Sequence, residues 1–393
     1  MHFHNPHRKD STITVRVMCA IVFLLFSFSW LYWFQADLLT IAQHILSGGQ
    51  TTYNRLAGAL ILTAVLLIVQ QTVAYFVRLN KHSHALTYLP SILLLAMISD
   101  INPDQKEGLL LHSWGILIPL ILILWGAAIW TLKQLYSYDE MSERSKLQSR
   151  QTWINLFEMS VMMLCVAWLG NTNIVMHFRA HAEMALSHDH IEEVLRTGYR
   201  SDESDAQLTM LRAYALSQKN ALGQCLFEYP VVGKGSDLLP MRAGVGTYPL
   251  LLSRDDMFAH LGAIPVGVNS AERFFQLLDK DSIRIKTFDD YRLCALLVDK
   301  KIDLFAQLLP QYYAVGDTLP HHYRGPLPKH YKEALILYTH LRSHPLLEFH
   351  DASMDEDWDN FQKLKRLSAD RYVRKGKLYK YYRSSYWYYY FCQ

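Results

Sequence analysis

The sequence predicts an all-α protein in two parts: a membrane bundle of five helices over residues 1–170, then helical hairpins in water over residues 171–393. Three observations carry this reading. The last apolar run long enough to cross a bilayer stops at Gly170. Charge is spread unevenly about that point, with only 11 of 39 Lys+Arg and 9 of 36 Asp+Glu preceding residue 171. Beyond it, apolar residues recur at helical spacing between short polar breaks, beginning with an amphipathic segment over Met176–Ser187.

Taken in order, Val17–Phe34 is apolar except for Ser27 and Ser29, and Leu56–Val77 is broken by Thr63, Gln70, Gln71 and Thr72. Ala85–Ser99 is shorter and contains Pro90. Ser113–Leu132 carries Trp114, Trp125 and Trp130, and Trp153–Gly170 is the fifth run. A spanning helix needs about 20 mostly apolar residues, which makes the third run the marginal one. Arg8 and Lys9 precede the first run as in a signal peptide. Its apolar stretch is long for one, however, and Phe34-Gln35-Ala36 lacks the small residue a cleavage site wants, so an uncleaved anchor is expected.

Loop charge sets the orientation. Arg8, Lys9 and Arg16, then Arg78 and Lys81, then Lys133, Arg144, Lys146 and Arg150 fall on one side. The other side holds only Arg55 and Lys106, a bias of nine to two that places the N-terminus in the cytoplasm. Five crossings then put residues 171–393 outside the cytoplasm; four would return them inside.

Gln70 and Glu158 are the polar residues singled out within the spans. Each lies eight residues from an Arg on the cytoplasmic flank, Arg78 and Arg150, or ~12 Å along a helix. Matching depth permits a hydrogen bond between the second and fifth spans. An ionisable group inside a membrane is a candidate functional site. Helix-to-helix bonding is the simpler role, because no line of polar positions crosses several spans to mark a transport path.

In the second part, LRAYALSQKNALGQCLFEYP (Leu211–Pro230) is echoed 80 residues later by YRLCALLVDKKIDLFAQLLP (Tyr291–Pro310). Arg212/Arg292, Ala215/Ala295, Leu216/Leu296 and Pro230/Pro310 coincide, each segment reading as helix, polar break, helix and Pro. Ala-Leu pairs recur at Ala185-Leu186 and Ala334-Leu335, and Asp255–Leu278 is expected to be a degenerate unit between. With Ala in the first helix and the spacing of Ala221–Pro230, this pattern resembles tetratricopeptide repeats, which implies a helical-hairpin solenoid. The repeat signature with Trp and Gly in the first helix is absent. The whole chain, closing on SYWYYYF, resembles uncharacterised multi-pass membrane proteins of Bacteroidota. That resemblance implies only a bacterial inner membrane and no assigned activity; with the loop charges, the second part is then expected in the periplasm.

Several stretches carry residue types that chemistry could use. Val231–Ser253 is a long irregular insertion with four glycines but no GK[ST] phosphate-loop ending, and Arg242 and Tyr248 are its candidate binding residues. His340 and His344 are four apart, but Pro345 follows and no HExxH occurs, so no metal site is expected. The five Cys include no CxxC pair and read as free thiols. Lys363–Arg383 is strongly basic and Tyr386–Phe391 is continuously aromatic. The rings are expected either to cap the last hairpins or to lie at a bilayer surface, with the cap favoured. Net charge is +2 before residue 171 and 28 − 27 = +1 after it, which argues against nucleic acid as a partner. No cofactor motif is present. The expected function is a membrane scaffold that presents a surface to a protein or peptide, with the lipid bilayer as its other partner. The alternative is an envelope enzyme or transporter acting on a lipid-linked or glycan substrate.

Overall fold

The computed structural model describes residues 7–77, 79, 81–103, 114–136, 148–241, 251–268, 270–280, 285–315, 325–366 and 370–393. Every multi-residue regular element in them is helical. They form two units, one through Asn173 and one from Ile174.

In the first unit, α1 (His7–Ser29) passes through a π-helical turn, Trp30–Phe34, into α2 (Ala36–Ser47). Then come α3 (Arg55–Val77), α4 (Leu89–Ser99), α5 (Trp114–Tyr136) and α6 (Gln148–Leu169). Among the described residues four stretches are long and apolar enough to cross a membrane: Val15–Phe34, Arg55–Val77, Trp114–Gln134 and Thr152–Leu169. They leave large apolar side chains such as Phe76, Ile116 and Trp168 uncovered by protein, as lipid-facing helices do.

The third expected run is the shorter apolar helix Ser83–Ser99. Its first part, Lys81–Tyr88, is 3₁₀, and α4 begins at Leu89 with Pro90 in the first turn. Proline is tolerated there because that N–H has no helical acceptor to lose. Ile92, Leu93, Leu95 and Ala96 are buried, with α3 and α6 against them. Polar contacts converge on the same segment. Ser91 Oγ donates to the Leu66 carbonyl (2.8 Å), Asn155 Oδ1 accepts the Ala85 N–H (2.8 Å) and Trp30 Nε1 donates to Ser99 Oγ (2.7 Å). The marginal stretch of the sequence is thus the centre of its unit. Helix α2 was not anticipated. It buries Leu38, Leu39, Ile41 and Ala42 and ends at Gly48, whose φ of 59° is the left-handed conformation glycine adopts at little cost.

The second unit contains α7 (Ile174–Ser187), α8 (Ile191–Arg196), α9 (Ala206–Gln218), α10 (Leu222–Cys225), α11 (Arg254–Leu261) and α12 (Ala271–Lys280). It continues with α13 (Lys286–Val298), α14 (Ile302–Leu308), α15 (Lys329–Leu341), α16 (Ala352–Arg366), α17 (Arg371–Tyr382) and α18 (Tyr386–Cys392). Three pairs, α7/α8, α9/α10 and α13/α14, turn in one way. The N–H groups of His190, Ala221 and Lys301 reach back to the carbonyls of Ala185 (2.8 Å), Leu216 (2.9 Å) and Leu296 (2.8 Å). The residue before each, Asp189, Asn220 or Lys300, has φ of 59°, 53° or 58°. These are Schellman turns that satisfy the last helical carbonyls, and the second and third stand 80 residues apart, as the matched segments do. Ala215 is buried, whereas Ala295 is only half-buried.

Between those hairpins, α11 and α12 pack through rings, with Phe258 and Phe274 at 5.4 Å and Phe274 and Phe288 of α13 at 5.1 Å. After them, α18 packs on α15 and buries Tyr386, Trp387, Tyr388 and Tyr389. The aromatic run therefore belongs to the core of this unit. α17 and the residue after it reach back to the loop between α8 and α9, where Tyr379 OH donates to Asp202 Oδ2 (2.7 Å) and Arg383 Nη2 to the Tyr199 carbonyl (3.2 Å).

Candidate functional site

A cleft of about 790 Å³ opens between α9, α12, α13 and the 3₁₀ turn Gly235–Leu238. Its position follows from local packing. Gly233 (φ 106°) turns the chain after α10, and Gly235 then lies against α13 so closely that an added Cβ would meet the Ala295 carbonyl oxygen at 2.3 Å. The Gly235 N–H donates to Asp299 Oδ1 (2.8 Å), and Asp237 Oδ2 accepts the Lys234 N–H (2.9 Å). Leu238 and Leu239 are buried behind the turn. The first half of the irregular insertion is thus a wedge between two hairpins rather than a free loop.

The floor of the cleft is apolar, made chiefly by Met210, Leu239, Pro240, Met241, Phe275 and Leu296. Both signs of charge surround it: Lys234, Arg292 and Lys301 against Asp237, Glu272 and Asp299. Lys301 and Asp299 pair at 3.1 Å. Sites of this volume with an apolar floor and a few polar groups are suited to binding. Of the lining hydroxyls, Ser236 Oγ donates to Asp237 and Ser270 Oγ accepts the Arg273 N–H. No histidine or cysteine is among the described lining residues.

Two buried polar clusters lie beside the cleft. Gln207 Nε2 donates to Glu183 Oε1 (2.8 Å), and Arg179 pairs with Asp205 (3.0 Å), which also caps α9 by accepting the Leu208 N–H. These contacts tie α7 to α9. Farther along, Tyr313 OH and Tyr331 OH donate to Asp290 Oδ1 (2.7 and 3.1 Å), and Cys294 Sγ lies 3.5 Å from Tyr331 OH. Burial raises the Cys294 thiol well above its ordinary value. A reactive thiol needs the opposite shift, so Cys294 is a packed side chain.

The residues singled out from the sequence are not brought together. Arg242 and Tyr248 lie outside the described residues. Gln70 is buried but donates to Thr87 Oγ1 (3.0 Å), and Glu158 Oε2 has no hydrogen-bond partner. The bond that matching depth permits between Gln70 and Glu158 is absent among the described residues. Asn155, one turn earlier on α6, makes the inter-helix bond instead, because its side chain meets the backbone at Ala85. His340 and His350 both face Asp355 (3.8 and 3.3 Å), and His330 is buried against Glu333 (2.8 Å). Among the described residues no group of three or more His, Cys, Asp or Glu could hold a metal ion. All five cysteines are free.

Comparison with known proteins gives one family. Residues 269–393 match DUF6057, a family of unknown function. The match takes in α12 and α13 on one side of the cleft, and α14 to α18 beyond. No curated protein matches the chain, and no solved structure does. The cleft itself was missed in the sequence. Its one signal was the glycine pair Gly233 and Gly235, which marks a close approach of backbone to something, but not to what.

Proposed function

We propose that the protein is an integral membrane scaffold whose second unit, a tetratricopeptide-like array of hairpins, binds an extended segment of a partner protein in the cleft between α9 and α13. The observation that carries this reading is the composition of the cleft. An apolar floor takes apolar side chains, and three cations and three anions around it hold charged neighbours of either sign. The first helices of the two matched hairpins, α9 and α13, line it, and first helices are where such arrays offer a concave surface.

The proposal includes five crossings. In His84–Ser99, beyond the kink at Ser83, five 3₁₀ residues at ~2.0 Å and eleven α residues at ~1.5 Å reach roughly 26 Å end to end, against the ~30 Å hydrocarbon core. With the N-terminus held inside by its Lys and Arg, the cleft then faces the periplasm of a bacterial inner membrane, the setting implied by the resemblance above. A phosphatase reporter fused after Ser187 is expected to be active and one fused after Tyr138 inactive; the reverse would place the cleft in the cytoplasm.

The test of binding is a photo-crosslinking residue at Gln276 in the full chain, in intact membranes, with the same residue at the exposed Glu356 as control. The expected result is a discrete protein adduct from position 276 only. Adducts only to lipid or glycan from position 276 would refute the scaffold.

A further inference from the structure

Helix α17 carries Arg371, Arg374, Lys375, Lys377 and Lys380 and no acidic residue. Among the described residues none of these five forms an ion pair. The nearest acid in sequence, Asp370, accepts the Tyr372 N–H (2.8 Å) as the cap of the helix. Only Leu378 is buried, while Tyr372 is 87%, Tyr381 62% and Val373 48% exposed. At ~100° per residue, Tyr372, Val373, Lys377 and Lys380 lie on the half of the helix opposite Leu378.

A helix face that serves only solubility mixes its charges. α16 does so, with Asp355, Glu356, Asp357 and Asp359 followed by Lys363, Lys365 and Arg366. α17 instead joins charge of one sign to exposed rings with a polar tip, and that combination suits the boundary between lipid headgroups and acyl chains. Its own neighbours hold the helix in place without neutralising it. Tyr379 and Arg383 make the bonds to Asp202 and Tyr199, and Tyr382 OH donates to the Asp357 carbonyl (3.2 Å).

We propose that α17 docks on the surface of a bilayer containing anionic lipid, with Lys377 and Lys380 among the headgroup phosphates, Tyr372 at the boundary and the other three cations adding to the attraction from farther off. The apolar helices of the first unit keep a bilayer in reach, so contacts that are weak one by one act at high effective concentration. The aromatic tail and the basic run, adjacent in sequence, thereby have different roles: α18 fills the core and α17 faces lipid.

The test uses the full chain reconstituted in nanodiscs of zwitterionic lipid, with and without anionic phospholipid. Brief trypsin digestion is read by mass spectrometry at Arg371, Arg374, Lys375, Lys377 and Lys380, with Arg200 as internal reference. The expected result is cleavage in α17 slowed several-fold by anionic lipid while Arg200 is unaffected. Salt at about 1 M, where the Debye length is ~3 Å, is expected to restore the rate. In the triple variant K375Q/K377Q/K380Q, Arg371 and Arg374 are expected to lose their protection, the Arg200 rate reporting that the unit remains folded. Equal cleavage in the two lipids would overturn the proposal, as would protection that survives high salt.

Discussion

Replacing Glu333 by Ala is expected to release α18 from α15. Glu333 is buried, and its Oε2 accepts both the Tyr386 N–H (2.7 Å) and His330 Nδ1–H (2.8 Å). Alanine leaves both donors without an acceptor where water does not reach. Each orphaned group costs ~1–3 kcal/mol, offset in part because a carboxylate no longer has to be desolvated, for a net loss of roughly 2–4 kcal/mol. Glu333→Gln keeps one oxygen able to accept and loses only the charge assistance, about 1 kcal/mol. The bond from Trp387 Nε1 to the Glu333 carbonyl (2.7 Å) is to backbone and survives both changes. The assay is urea unfolding of fragment 174–393, followed by tryptophan fluorescence. That fragment holds only Trp358 and Trp387, with ring centroids 5.3 Å apart beside the affected contact. Equal losses for Ala and Gln, or none for either, would refute the role given to this carboxylate.

Asn220→Gly relieves a left-handed residue (φ 53°) that is exposed, and is expected to raise the stability of the fragment by up to ~1 kcal/mol in the same assay. Ala215→Leu forces bulk into a filled core and is expected to cost ~1–3 kcal/mol. Ala295→Leu, half-buried at the cleft, is expected to cost less and to abolish the crosslink from Gln276. Burial pushes Tyr214, Tyr229 and Tyr389 up to about 12, and Tyr291, Tyr331 and Tyr386 are raised as well. Because the folded values exceed the unfolded value near 10, this stability is complete below about pH 10 and is lost as pH rises through 12. The melting temperature of the fragment is expected to be insensitive to these groups up to about pH 10 and to fall steeply above it; a midpoint unchanged at pH 12 would contradict the burial of these rings.

The long apolar helices were legible because bilayer thickness fixes their length, and the break at 170–173 because charge density changes there. The hairpin turns were legible only as polar breaks. Their left-handed residues are Asp, Asn and Lys, so no glycine marked them. α2 escaped notice because a 12-residue amphipathic helix beside a span reads as loop when only spans are sought. The cleft was illegible for a different reason. Met210, Glu272 and Arg292 meet only after the wedge at Gly235 has been placed, and no spacing encodes that meeting. For Gln70 and Glu158, equal depth permits a bond but leaves the direction around each helix open. The short 3₁₀ and α4 segment takes the facing position.

The bonds from Tyr379 and Arg383 to residues 199–202 change how the second unit should assemble. An open array gains stability piece by piece, each repeat leaning only on its neighbours, and can fray from either end. Here the loop between α8 and α9 is bonded to Tyr379 of α17 and to Arg383 just after it, across 177 and 184 positions of sequence, so the first hairpin and α17 support each other. Such distant pairings form late and only when the parts between are in place. The unit should accordingly fold and unfold in one concerted step, more slowly than an open stack of the same length.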